Sequence, residues 1–174
     1  MLSKKMLAAL SDQITKELYS SYLYLQMAAW FEDQSLKGFA NWMRMQVKEE
    51  DAHGMILFNY VCERGGIVDL GAIDKPPSDY ASPLDVFEKV LAHEQKVTGF
   101  INDLMDLAIS EKDHATKNRL DWFVDEQVEE ESNATDLVGK LKLIGKDSKG
   151  LLMLDKDLSA RVFVIPSPLA RADA

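Results

Sequence analysis

Cysteine is almost absent from this sequence, since Cys62 is the single one among 174 residues. One thiol cannot form an internal disulfide, and it cannot supply a Cys-x-x-Cys metal site or a cysteine-rich iron domain. Disulfides are typical of secreted proteins, so the scarcity of cysteine makes the cytoplasm the expected location.

Long hydrophobic runs and an excess of basic side chains are also missing. The longest nearly apolar run, 22–31, holds ten residues, about half of what a bilayer-spanning helix needs. The start of the chain fails as a secretory signal, because its short apolar stretch ends at Ser11 and Asp12. Twenty basic against 29 acidic side chains give a net charge of -9, which disfavours nucleic acid and favours cations. We therefore expect neither a membrane nor a nucleic acid as a partner.

Four long segments carry apolar residues at the spacing of one helix face. They predict helices at about 3–33, 35–64, 83–108 and 114–144. Hydrophobic residues make up 47% of the chain, enough for one domain with a sizeable core. The break between the first two helices is so short that these helices are predicted to run antiparallel.

Capping residues and a long loop predict how the helices are connected. Ser35 is predicted to cap the second helix, Ser82 followed by Pro83 the third, and Asp113 or a neighbouring residue the fourth. Residues 65–82 show no periodicity and are rich in glycine and proline. A loop of this length can run along a whole helix, so it is predicted to be a crossover that makes helices two and three parallel.

The predicted core face of each helix is interrupted near its middle by polar side chains. In chain order these are Glu17, Gln46, Glu50, His53, Glu94, Gln127 and Glu130. Their depths along the four helices place them in one polar layer. A single helical glutamate is usually part of a solvated face, but four buried carboxylates without a cation are energetically costly. A divalent metal is the simplest counter-charge, and oxygen ligands with one imidazole suit iron, manganese or zinc.

These motifs resemble the ferroxidase signature of non-haem bacterial-type ferritins over about residues 1–158. The matching residues are Glu17, Tyr24, Glu49, Glu50, His53, Glu94, Glu126, Gln127, Glu129 and Glu130. The resemblance implies an all-α fold, the known ferritin-like four-helix bundle with a long crossover between helices two and three, plus a short fifth C-terminal helix. It also implies a di-iron domain at 1–158 and a C-terminal tail of unknown order at 159–174.

The resemblance assigns a role to each matching residue. It implies that one iron is held by Glu17, Glu50 and His53, and a second by Glu50, Glu94 and Glu130. Gln127 stands where a second histidine would be in bacterioferritins, and it is placed to contact dioxygen or water. Asp51 stands in place of the haem-ligating methionine of bacterioferritins, so no haem is expected.

The remaining matches have two readings each. Tyr24 is either a redox-active or hydrogen-bonding neighbour of the di-iron site or a plain core tyrosine. A possible third iron site, or else a solvated acidic patch, consists of Glu49, Glu126 and Glu129. His93 and His114 do not belong to the predicted core faces, so they are expected at the surface.

The implied function is oxidation of Fe(II) by dioxygen or hydrogen peroxide, with storage of ferric mineral inside a homo-oligomeric cage of 24 subunits. Two alternatives stay open. One is a non-storage di-metal oxidase or peroxidase of the same fold, although a rubrerythrin-like protein usually carries a cysteine-rich iron domain. The other is a helical interaction module without chemistry.

The apolar run Leu151-Leu152-Met153-Leu154 is expected to pack against other subunits, since a four-helix bundle has no obvious space for it.

Overall fold

The computed structural model describes residues 1–170 of the chain, and within that range it contains helices and no strands. The helices are α1 (Lys4–Asp33), α2 (Lys37–Glu63), α3 (Pro83–Ser110), α4 (His114–Ile144), α5 (Ser148–Leu158) and α6 (Ser167–Ala170). The four long helices and the short fifth one are confirmed, whereas α6 lies in the tail that the sequence left unassigned. None of the helices among the described residues is long and apolar enough to cross a membrane.

The chain divides into two compact units, of which the first contains Met1–Asp79 and Ser148–Ala174. Its centre is the extensive contact between α1 and α2. Phe31 and Phe39, on either side of the connection, stack with ring centroids 5.1 Å apart. The predicted core face of α2 is buried throughout, polar positions included. The helical spacing of three and four residues therefore identified this face correctly.

The end of α1 corrects the predicted role of Ser35. It does not cap α2, whose N-cap is Leu36. Ser35 adopts a left-handed backbone conformation with φ of 61°. Its N–H donates to Glu32 O (3.1 Å) and the Leu36 N–H donates to Phe31 O (3.0 Å). This paired pattern is the Schellman motif, so Ser35 ends the first helix and does not begin the second.

The second unit contains Tyr80–Asp147, in which α3 packs against α4. The N-cap residues predicted for its two helices are confirmed. Ser82 Oγ accepts a hydrogen bond from the Asp85 N–H at 3.1 Å, and Pro83 is the first helical residue. Asp113 Oδ1 accepts from the Thr116 N–H, also at 3.1 Å. These contacts satisfy amide groups that have no partner inside the helix.

Residues between α2 and α3 form the predicted long connection, with neither helix nor strand. Its first part lies along α1. The Asp69 N–H donates to Ser11 Oγ at 3.3 Å, and the Gly71 N–H donates to Thr15 Oγ1 at 3.0 Å. Side chains of α1 thus fix a segment that has no internal hydrogen-bond ladder.

The fifth helix packs against α2 of its own chain. Asp155 Oδ1 accepts hydrogen bonds from the N–H groups of Gly38 (2.8 Å) and Phe39 (3.0 Å), at the start of α2. A Cβ atom at Gly38 would lie 1.5 Å from Asp155 O, so only glycine permits this approach. The expectation that the apolar run has no place in its own subunit is wrong for Leu154, which is 8% exposed. Packing against other subunits stays a prediction for Leu151, Leu152 and Met153.

Candidate metal centre

Three predicted ligands lie together in the first unit. Glu17 of α1 and Glu50 and His53 of α2 are all buried. Each offers a ligand atom, and these atoms lie within 4.8 Å of one another. His53 Nδ1 is 3.5 Å from Glu50 Oε2, as expected for residues three apart on a helix. The sequence pattern therefore located a real cluster.

Gln13 supports this cluster, although the sequence analysis did not include it. It is buried one turn before Glu17, and its Nε2 donates to Glu17 Oε1 at 2.7 Å. The hydrogen bond fixes the orientation of the carboxylate and leaves its second oxygen for another partner. A glutamine four residues before a buried glutamate shares its helix face, so the spacing contained this signal.

The donor set of the cluster suits a particular class of ion. Two carboxylates and one imidazole, without a thiolate, are typical ligands of iron, manganese or zinc. Two carboxylates that are buried this close also repel one another, and a cation between them offsets both the repulsion and the loss of hydration. The cluster is therefore suited to holding a divalent or trivalent metal ion.

The second unit contains the other predicted core ligands. Glu94 of α3 and Gln127 and Glu130 of α4 are buried. Gln127 Nε2 lies 3.3 Å from Glu94 Oε2 and 3.2 Å from Glu94 O, within hydrogen-bonding distance of both. It also lies 3.3 Å from Thr98 Oγ1. The amide group of Gln127 is thus held beside the Glu94 carboxylate.

Thr98 is a second residue that the sequence analysis did not include. Its hydroxyl donates to Glu131 Oε1 at 2.5 Å and accepts from Gln127 Nε2. Because it lies four residues after Glu94, it shares the helix face of that ligand. Thr98 therefore helps Glu94 to fix the orientation of the Gln127 amide group.

The residues with two readings lie in different surroundings. Tyr24 is fully buried on α1, and its position fits either reading. Glu49 and Glu126 are half-buried, and Glu129 is exposed. Glu49 has a partner that no local pattern indicates, because its Oε2 lies 2.6 Å from Nη2 of Arg161, 112 residues further along the chain.

The two histidines outside the predicted core faces differ in burial. His114 is exposed, as expected. His93 is half-buried instead of lying at the surface. Burial, with a smaller effect from the positive charge of Lys96, lowers the pKa of His93 from 6.5 to about 4. Its imidazole is therefore neutral near pH 7.

Comparison with known proteins places the chain in a family. The family model described as "Ferritin: Ferritin-like domain" matches residues 7–144. The bacterial non-heme ferritin of Staphylococcus aureus (strain USA300) is 42% identical over 163 residues, which cover 94% of this chain and 98% of that protein. That of Bacteroides fragilis (strain 638R) is also 42% identical, over 92% of this chain and 100% of that protein.

Solved structures agree with the sequence comparison. An engineered closed form of the Archaeoglobus fulgidus ferritin has a TM-score of 0.93 and 54% identity, covering 94% of this chain and 100% of that one. The open pore ferritin of the same archaeon has a TM-score of 0.92 and 54% identity, over 93% and 100% of the two chains. The predicted fold class, an all-α ferritin-like four-helix bundle, is thereby confirmed. With a family match over most of its length and relatives at 42% identity, this chain belongs to the ferritin family, with the non-haem ferritins of bacterial type.

Proposed function

We propose that this ferritin stores iron in the cytoplasm as a ferric mineral, inside a cage of 24 copies of the chain. Fe(II) is oxidised at a di-iron ferroxidase centre, with dioxygen or hydrogen peroxide as the oxidant. The observation that carries the proposal is the buried cluster of Glu17, Glu50 and His53 in a chain of the ferritin family. No haem takes part.

The proposed ligands follow the family resemblance. Glu17, Glu50 and His53 bind one iron, while Glu50, Glu94 and Glu130 bind the other, so that Glu50 bridges the two. The burial of Glu94 and Glu130 supports this assignment, because a buried carboxylate requires a counter-charge. Gln127, fixed beside Glu94, contacts the oxidant or a water molecule. Tyr24 donates a hydrogen bond or an electron to the same centre.

The electron balance explains why two irons are needed. Each Fe(II) gives up one electron, and the pair of electrons with two protons reduces dioxygen to hydrogen peroxide. When hydrogen peroxide is the oxidant, the same two electrons and two protons reduce it to two water molecules. The carboxylates stabilise the Fe(III) that forms, because hard oxygen ligands favour the higher charge.

A third iron site at Glu49, Glu126 and Glu129 is part of the proposal. Glu126 and Glu129 are three residues apart on α4 and share a face, next to the one that carries Glu130. An iron bound there would supply a further electron to the oxidant and delay the passage of Fe(III) to the mineral.

The alternative is a di-metal oxidase or peroxidase that does not store iron, since a buried carboxylate–histidine cluster serves that chemistry equally well. The size of the assembled particle and its capacity for iron distinguish the two functions. Purified chain is analysed by native mass spectrometry and then loaded with Fe(II) in air. Storage requires a particle about 24 times the 19.6 kDa of the chain that retains hundreds of irons in soluble form. A monomer or dimer that oxidises Fe(II) but precipitates the product would favour the alternative.

A further inference from the structure

Arg161 follows α5 and contacts α2 through both its backbone and its side chain. Asn41 Nδ2 donates to Arg161 O at 3.0 Å. The guanidinium carbon of Arg161 lies 4.5 Å from the centre of the Trp42 ring. Its Nη2 donates to Glu49 Oε2 at 2.6 Å. The guanidinium is thus fixed between an aromatic ring and a carboxylate.

This ion pair differs from an ordinary surface pair. The side chains of Arg161 and Glu49 are only 21% and 17% exposed, so solvent and salt screen their attraction incompletely. The contact with the Trp42 ring and the hydrogen bond from the Asn41 side chain to the Arg161 backbone carbonyl hold the arginine in place before any metal binds. A positive charge is therefore fixed beside one oxygen of Glu49.

A cation so close to a carboxylate opposes a second cation at the same group. Metal binding at Glu49 has to displace Arg161 or share the carboxylate with it, against charge repulsion. We propose that Arg161 is a built-in counter-cation of Glu49, which occupies this carboxylate in the absence of metal and weakens the binding of a third iron there. The proposal rests on the proposed function, because that function makes Glu49 an iron ligand.

The arrangement gives the third site a property that suits iron transfer. An ion that competes with a fixed arginine for its ligand binds more weakly than it would without that competitor. Iron at Glu49 can therefore leave readily, while the carboxylate returns to Arg161. In this scheme Arg161 is a positioning residue that acts through Glu49 and does not touch the metal.

A purely structural role for Arg161 makes a different prediction. If Arg161 only fastens the C-terminal segment to α2, its replacement lowers thermal stability and leaves metal affinity unchanged. Zn(II) distinguishes the roles, because it binds carboxylate and histidine ligands without being oxidised. Assembled, metal-free protein is titrated with Zn(II) by calorimetry at low and high salt, and the melting temperature is recorded in parallel.

The variants are Arg161→Gln, Arg161→Lys and, as a charge-matched control, Lys140→Gln. Lys140 forms an exposed ion pair with Asp136 in the second unit. We expect two tight Zn(II) ions per chain in all of them. The third ion should bind about three- to tenfold more tightly in Arg161→Gln at low salt, and the gain should shrink at high salt. Arg161→Lys, which keeps the charge, should restore the affinity of the unmodified protein, and Lys140→Gln should match it. Adding Glu49→Gln to Arg161→Gln should abolish the gain.

Several results would overturn the inference while leaving the proposed oxidation of Fe(II) at the di-iron centre intact. They are a third-ion affinity that is unchanged or weaker in Arg161→Gln, a gain that survives Glu49→Gln, an equal gain in Lys140→Gln, and no third ion in any variant. Failure of the proposed function would appear elsewhere in the same titration, as the absence of the two tight ions or their insensitivity to Glu50→Gln.

Discussion

Burial determines what the carboxylates of Glu17 and Glu50 can do. Their ligand atoms, together with those of His53, lie within 4.8 Å of one another and away from solvent. The effective dielectric constant falls from about 80 in water to about 20 in such a setting, which makes their mutual repulsion several times stronger. A bound cation removes this repulsion, and each ligand therefore contributes both to metal affinity and to the stability of the loaded protein.

The residue His53 provides the most direct test of the centre. His53→Ala removes the imidazole and should slow rapid Fe(II) oxidation by more than about tenfold, because ligands and even their supporting groups have effects of this size. His114→Ala is the matched control, since His114 is exposed and lies outside the cluster. Stopped-flow absorbance measures the rate, and circular dichroism checks that the helices persist. Equal rates in the two variants would place the oxidation site elsewhere.

Gln13 is predicted to act on the metal through Glu17. Gln13→Leu keeps the approximate volume but removes the 2.7 Å hydrogen bond, so Zn(II) affinity at the cluster should fall about tenfold. Ser20→Ala is the control, because the buried Ser20 hydroxyl bonds to Lys16 O within its own helix. Calorimetric titration of metal-free protein measures the affinity. A loss of the same size in both variants would mean that removing any buried polar group of α1 weakens Zn(II) binding, and that the hydrogen bond to Glu17 has no special role.

How far the sequence predicted these residues depends on where their partners lie. Glu50 and His53 are three residues apart, and Gln13 and Glu17 are four apart, so helical spacing alone relates them. Arg161 and Glu49 are 112 residues apart and meet only because α5 packs on α2. No periodicity predicts a contact of that kind.

At the scale of elements, three helix ends share one hydrogen-bond pattern. Each has a left-handed residue after the C-cap, with φ of 61° at Ser35, 74° at Gly65 and 56° at Lys112. In each case two N–H groups bond back to the last turn. Glycine often occupies this position. Gly65 was assigned to the break after α2 because residues 65–82 lack periodicity and are rich in glycine and proline. Serine, in contrast, is a common N-cap residue, and for this reason Ser35 was assigned to the wrong helix.

Ser35 therefore carries a strain that glycine would remove. Ser35→Gly should raise the free energy of unfolding by roughly 0.5–1 kcal/mol. A left-handed conformation costs a residue with a Cβ about 1–2 kcal/mol, and the greater chain entropy of glycine in the unfolded state offsets part of the gain. Ser35→Ala is the control, since alanine keeps the Cβ and should give no gain. Thermal unfolding monitored by circular dichroism measures both. A lower melting temperature for Ser35→Gly than for Ser35→Ala would contradict the assignment of strain.

At the scale of the whole molecule, the C-terminal segment was the least predictable part. The four long helices follow from periodicity and caps, and their polar positions follow from the interruptions of that periodicity. The place of α5 depends on Gly38, whose missing side chain lets Asp155 reach the start of α2. Sequence periodicity does not reveal such a close approach, so the apolar run of α5 was assigned as a whole to other subunits.

The exposed part of that run leads to a prediction about assembly. Leu152 and Met153 are 61% and 70% exposed, while Leu154 packs within its own chain. Neighbouring exposed apolar side chains on a short helix are typical of an interface. Replacing both with aspartate should leave the helices intact and reduce the fraction of chain in full cages, because burying the new charges costs more than the apolar contact contributes.

Lys156→Asp is the control for this double variant. It changes the charge of the same helix by as much as the double variant does, at an exposed position, and leaves Leu152 and Met153 in place. Native mass spectrometry and size-exclusion chromatography measure the distribution of assemblies. If the double variant forms complete cages with the melting temperature of the unmodified protein, α5 has no interface role. If Lys156→Asp disrupts assembly equally, charge on α5 and not loss of the apolar pair is responsible. Incomplete cages in the double variant alone would assign Leu152 and Met153 to a contact between subunits, which is the arrangement that an exposed apolar pair on a docked helix favours.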